Sequence, residues 1–145
     1  MTIPRNPYPA TDTIIEYEYE GKKGIVLIER KNEPYGYAIP GGYHDYGLTG
    51  QENAIKESKE ETNLDVKIIK LFGEYSDPNR DPRKHIISNV YVGIGSGIMK
   101  AGSDAKSVGL YTPEEVRGMI RRELFAFDHA NILTDYLEAR PHAYI

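Results

Sequence analysis

Over residues 13–20 apolar and polar positions alternate, with Ile15, Tyr17 and Tyr19 on one side and Glu16, Glu18 and Glu20 on the other. A period of two predicts a strand with one face in water. Residues 21–24, Gly-Lys-Lys-Gly, supply a turn, and the apolar run 25–28 has strand length, so a hairpin is expected. Residues 31–36 read as a loop that leads to Pro40-Gly41-Gly42, where regular structure breaks and the backbone can come close to a ligand. A helix opens at Thr49, which can cap, with Glu52 three residues on as in a capping box. It runs to about Thr62, where Asn63 suits a left-handed stop and Leu64 can fold back on it. Strand character returns over 66–75 and 85–94, on either side of a polar loop carrying Pro78, Arg80, Pro82, Arg83 and Lys84. Gly93, Gly95 and Gly97 are expected to break the second of these strands, after which residues 98–100 could continue the sheet. Thr112-Pro113-Glu114-Glu115 starts another helix, and Asp128 can cap a last one whose Ile132, Leu133, Tyr136 and Leu137 form one stripe. This order of elements predicts a mixed sheet with helices packed on it.

Composition narrows the picture. The 145 residues suit one domain with a single modest core, here taken as 1–145. Eighteen Lys and Arg against twenty-two Asp and Glu oppose a broad nucleic-acid surface. Without cysteine, disulfides, zinc–thiolate sites and thiol nucleophiles are excluded, so a metal must be held by oxygen or imidazole. No run approaches the roughly twenty apolar residues of a membrane span, and residues 1–10 carry three prolines in place of a signal-peptide core. A cytoplasmic protein with no membrane partner is expected.

Candidate chemistry centres on the first helix. Glu57, Glu60 and Glu61 stand at i, i+3 and i+4, which puts three carboxylates on one face about 5–6 Å apart. At an effective dielectric of about 20 each pair repels by roughly 3 kcal/mol, less where solvent and salt screen it. A cation would relieve this, and oxygen ligands favour magnesium, manganese or calcium. A solvated, glutamate-rich helix face is the other reading of the same residues.

Gly42 lies fifteen residues before Glu57, and the helix continues Lys56-Glu57-Ser58-Lys59-Glu60-Glu61-Thr62-Asn63-Leu64. This resembles the Nudix box, G-x5-E-x7-R-E-U-x-E-E-x-G-U with U a bulky aliphatic residue. Gly42, Glu57, Glu60, Glu61 and Leu64 match it, whereas Leu48, Lys56, Ser58 and Asn63 depart from it. The stretches 30–42, 75–83 and 126–133 extend the resemblance to the small ADP-ribose pyrophosphatase branch. It implies an α+β fold, the Nudix α-β-α sandwich with a mixed β-sheet. It also implies magnesium-dependent cleavage of a nucleoside diphosphate derivative, most simply ADP-ribose to AMP and ribose 5-phosphate, with manganese an acceptable ion, and a homodimer.

By the same resemblance Glu57, Glu60 and Glu61 are the catalytic and metal-binding carboxylates, and the Gly41 carbonyl is a further ligand. Arg30, Arg80 and Arg83 are candidates for the phosphates, since guanidinium forks match phosphate oxygens. Glu57 or a loop carboxylate, from among Asp104, Glu114 and Glu115, is the candidate base. Leu48 and Lys56 leave two alternatives open: a catalytically weak nucleotide-binding or sensing module, and a hydrolase that removes damaged nucleoside triphosphates. His44, His85, His129 and His142 show no helical metal spacing and read as structural, although His44 and Asp45 follow the glycine turn. Tyr35 and Tyr37 read either as base-stacking or as sheet residues.

Overall fold

The computed structural model describes residues 3–139; His142 lies outside them. Strands β1 (Tyr8–Tyr19) and β2 (Lys22–Arg30) form the expected antiparallel hairpin, but its turn is tighter. Glu20 and Gly21 both take positive φ, 51° and 83°, the two-residue turn whose twist matches that of the flanking strands. Gly24 thereby falls inside β2, where a Cβ would collide with the Tyr111 backbone.

The remaining elements are β3 (Tyr37–Ala38), β4 (Gly41–Tyr43), α1 (Gly50–Thr62), β5 (Asp65–Tyr75), β6 (Ile86–Ser96), β7 (Ala105–Tyr111), α2 (Pro113–Arg121) and α3 (His129–Glu138). The main path of the sheet runs β3-β2-β1-β6-β5, with β4 paired to β1 and β7 to β2. Among the described strand pairs only β1 and β6 run parallel, so the sheet is mixed.

β1 shows why the sheet is covered on both sides. Successive side chains of a strand point to opposite faces, and Ala10 to Tyr17 are all buried. Ile14 joins a core with Ile25, Leu27, Val116, Met119, Ile132 and Leu133 beneath α2 and α3. Ile15 and Tyr17 join a second with Val26, Leu64 and Val66 on the α1 side. The wet face expected of this strand is therefore confined to its end, where Glu18 and Glu20 are exposed. Glu16 is buried, accepting a hydrogen bond from the Tyr136 hydroxyl of α3. Alternation shows which face a residue occupies, not whether another layer covers that face.

Two further expectations fail for packing reasons. β6 runs through Gly93 and Gly95, where an added Cβ would lie 2.5 Å from Val66 Cγ1 and 2.9 Å from Ile15 Cγ2. These two glycines admit neighbouring side chains and do not end the strand, which stops at Ser96, just before Gly97 at φ 99°. Residues 98–100 are not a strand; they wrap the C-terminus of α1. Lys100 and Gly102 donate N–H groups to the Thr62 and Glu61 carbonyls, satisfying orphan acceptors at the helix end. The sheet resumes only at β7, a strand not among the expected elements.

Candidate active site

α1 opens at the Thr49–Glu52 capping box, with both reciprocal bonds formed, and closes on Asn63 at φ 66°. The face it turns to the sheet is small and polar: Asn53, Ala54, Ser58 and Thr62. Asn53 fixes its position, donating to Thr11 Oγ1 (2.8 Å) and the Tyr43 carbonyl (3.2 Å) and accepting from the Asp45 N–H (2.9 Å). These bonds seat α1 against the loop that follows β4.

The glycines of β4 meet two of the three box carboxylates. Gly41 N–H donates to Glu61 Oε2 at 3.2 Å, and a Cβ on Gly41 would run into the Asp12 carboxylate. A Cβ on Gly42 would lie 2.8 Å from the Glu57 carboxyl carbon. Only glycine leaves room for this approach. Burial pushes Glu61 up to about 8, opposed by the Gly41 bond and reinforced by Asp12 and Glu57. Burial also raises Glu57, with Glu60 adding to the effect and Asp104 contributing a smaller share. Among the loop carboxylates Asp104 alone bears on the site: Glu115 belongs to the cap of α2, and Glu114 pairs with Arg117.

Glu60 behaves differently. Its side chain is exposed, and its carboxylate sits 2.8 Å from Lys56 Nζ. The same ammonium lies 2.8 Å from Asp45 and 3.9 Å from Glu57. Asp45 and Glu60 together hold Lys56 above its ordinary range. Lys56 thus finds its carboxylate partner in Asp45, where the box would supply one at position 48. Leu48 is half-buried, and its carbonyl contacts His44 Nε2 at 2.6 Å. Among the described residues no three histidine, aspartate or glutamate side chains already stand together at metal-holding spacing. The donor set that faces the glycine loop, Glu57 and Glu61, is nevertheless of the hard oxygen type that suits a divalent cation.

A cavity of about 150 Å³ opens beside Glu61 and Gly41-Gly42, and all three candidate arginines line it. Their engagement differs. Arg80 is buried, with Nε and Nη2 bonded to the Asp128 carboxylate (3.0 and 2.8 Å) and Nη1 to the Ile86 carbonyl (3.5 Å). Asp128 is thereby taken from the capping role expected of it; no side-chain cap bond forms on α3. Arg30 uses Nε and Nη2 on the Pro34 and Glu33 carbonyls (2.7 and 3.4 Å). Arg83 uses the same two atoms on the Asp81 carboxylate (3.1 and 2.9 Å).

The floor of the cavity was not foreseen. Asp12 is buried in β1 and accepts from Ser88 Oγ at 2.5 Å. Burial pushes it up to about 6 against the pull of Ser88 and Arg80. His129 lies 3.8 Å from Asp12, and its Nδ1 accepts the Ile39 N–H at 3.1 Å, which puts the proton of the neutral ring on Nε2. Burial drives His129 down to about 3, so it stays uncharged. No local signal in the sequence marks Asp12, which precedes the predicted strand and is singled out only by its burial in β1. Of the other candidates, His85 contacts the Ser76 carbonyl, Tyr35 is exposed, and Tyr37 packs edge-on against Tyr111 in the sheet.

Comparison with known proteins accords with this geometry. The NUDIX domain model matches residues 8–136. An ADP-ribose pyrophosphatase of Methanocaldococcus jannaschii is 40% identical over 135 residues, 91% of this chain and 74% of that protein. The Nudix domain of Shewanella oneidensis NrtR, solved with ADP ribose, superposes with a TM-score of 0.81 over 94% of this chain and 90% of its own, at 17% identity. A bifunctional NMN adenylyltransferase/ADP ribose pyrophosphatase of Francisella tularensis, complexed with AMP and a Mn ion, gives 0.79 at 21% identity. That match covers 95% of this chain and 43% of the longer one. Both likenesses confirm the α-β-α fold. The chain belongs to the NUDIX family, as a hydrolase resembling the ADP-ribose pyrophosphatases.

Proposed function

We propose that this chain is a magnesium-dependent pyrophosphohydrolase that splits ADP-ribose into AMP and ribose 5-phosphate, with manganese as a substitute ion. The observation that carries the reading is Glu61, a largely buried carboxylate pressed against the Gly41 N–H beside a cavity lined by arginines. A group held so far above its ordinary range is poised for a positive partner. Similarity to the Methanocaldococcus jannaschii ADP-ribose pyrophosphatase over most of both chains supports the substrate.

Glu57 and Glu61 would hold the ion together with the Gly41 carbonyl, and Glu60 would join once released from Lys56. Bound there, a divalent ion supplies charge neutralisation to the diphosphate and lowers the pKa of a coordinated water. Arg30 and Arg83 hold the phosphates, Arg80 shapes the cavity through Asp128, and Glu57 orients and deprotonates the attacking water, with Asp104 supporting its basicity. The working unit is a single domain over residues 1–145, cytoplasmic and homodimeric; sedimentation equilibrium at micromolar concentration should give twice the chain mass. Among the described residues no helix is long and apolar enough to cross a membrane.

Chromatography of products from ADP-ribose and from nucleoside triphosphates, with and without magnesium, tests the reading. AMP should form from ADP-ribose only with the metal. Glu61→Gln should lower the rate by about a hundredfold, a barrier change of about 2.7 kcal/mol. Equal turnover of triphosphates, or tight binding without turnover, would favour the alternatives set by Leu48 and Lys56.

A further inference from the structure

Phe127 has no role in the reading above, yet it sits where Arg30 and Arg83 meet. The Arg30 guanidinium lies over its ring at 4.8 Å and that of Arg83 at 5.3 Å. The ring also lines the cavity and lies 5.2 Å from the His129 ring. Its backbone is in the left-handed region, φ 56°, which is uncommon for a bulky residue. The neighbouring chain holds it there: Ala126 N–H donates to the Tyr37 carbonyl (2.8 Å), Tyr37 N–H to Leu124 (2.9 Å), and His129 N–H to Ala126 (3.2 Å). Strain kept at a cavity mouth by its surroundings points to a use for the side chain.

That use follows from the hydrogen-bond inventory. Arg30 and Arg83 are each anchored through Nε and Nη2, and among the described residues neither Nη1 has an acceptor. Arg80, by contrast, has all three nitrogens engaged. Two like charges share one ring: burial lowers Arg30 from its ordinary range, and Arg83 lowers it further. The negative face of an aromatic ring attracts both cations. We propose that Phe127 is a positioning residue that holds Arg30 and Arg83 together with their Nη1 groups uncommitted, as a two-pronged receptor for one phosphate of the substrate. The inference rests on the cavity being the diphosphate site.

The test is calorimetric titration of inorganic pyrophosphate in EDTA, which removes the metal from the comparison. Phe127→Leu is expected to weaken binding about tenfold, the loss of two cation–π contacts. In magnesium it should raise KM for ADP-ribose by a similar factor and leave kcat within about twofold, the mark of a lost binding contact. Phe127→Tyr, which keeps the ring, should restore both. In an Arg30→Gln/Arg83→Gln background, Phe127→Leu should change pyrophosphate affinity less than about twofold, because the partners it acts through are gone. Should Phe127→Leu fail to fold, Phe127→Asn, which suits the left-handed backbone, gives the same reading. Unchanged affinity in Phe127→Leu, an equal loss in the arginine-free background, no rescue by tyrosine, or no metal-free pyrophosphate binding by the wild type would each overturn the proposal. Ring-dependent pyrophosphate binding without turnover of ADP-ribose would leave it standing and reject the hydrolase reading instead.

Discussion

Helices α1 and α3 cover opposite faces of one strand, and they are held in contrasting ways. α3 buries His129, Ile132, Leu133 and Tyr136; the last three pack in the main core, and the histidine and the tyrosine bond to Ile39 and Glu16. α1 buries Asn53, Ala54, Ser58 and Thr62, and its position is fixed by a reciprocal cap, by Asn53 and by the loop that closes its C-terminus. Apolar burial is non-directional and tolerates sliding. Hydrogen bonds fix both distance and angle. α1, which presents Glu57 and Glu61 to the glycines of β4, is seated by directional bonds with little apolar burial. α3 adds a share of the main apolar core to its bonds, so the stability of the fold is drawn more heavily from α3.

The contrast can be tested from each side, beginning with the largest effect. Leu133→Ala should lower the free energy of unfolding by about 2–5 kcal/mol, the range for a truncated buried leucine, measured by urea denaturation. Manganese affinity of the folded protein should be unchanged; a parallel loss would mean that the two helices share one task. On α1, Ser58 Oγ is buried without a hydrogen-bond partner among the described residues. Ser58→Ala removes an unsatisfied hydroxyl and should raise stability by about 1 kcal/mol, with manganese affinity again unchanged. The smallest effect belongs to the exposed rim, where Asp45→Asn should leave the melting midpoint alone. It should weaken manganese binding about twofold, as an exposed ion pair would, because Lys56 then rests more fully on Glu60 and Glu57. An unaltered manganese affinity would show that Asp45 has no influence on Lys56.

The same contrast explains what could be read from the chain. α1 is a local object: Thr49, Glu52 and Asn63 lie within fifteen residues and form the expected caps. Periodicity alone does not show that Glu57 and Glu61 meet the glycines while Glu60 turns to Lys56. The cavity is assembled from afar. Asp12, Ser88 and His129 come from β1, β6 and the start of α3, and nothing in the spacing of their residues brings them together. Glu16 misled because a buried carboxylate looks like a wet one until its partner, Tyr136, is found 120 positions away. Arg80 and Arg83 are alike in sequence and three apart, yet one faces Asp128 and the other Asp81 and Phe127. Leu48 and Lys56 read as a lost pair until the fold brought Asp45 to Lys56.

Central to this account is Glu61, which, with Asp12 buried beside it on the cavity floor, is held at a cost to the metal-free fold so that a divalent ion can bind. Glu61 is raised to about 8 and Asp12 to about 6, so the folded protein binds protons more tightly than the unfolded chain does. The corresponding stability is complete below the ordinary carboxylate range and is lost as pH rises toward 8. Proton release on magnesium binding, followed by calorimetry in buffers of different ionisation enthalpy, measures this linkage directly. Wild-type protein should release protons between about pH 5 and pH 8, binding magnesium more tightly as pH rises, and Glu61→Gln should lose most of both effects. Magnesium binding that is independent of pH over this range, or equally strong and equally proton-linked in Glu61→Gln, would contradict the account.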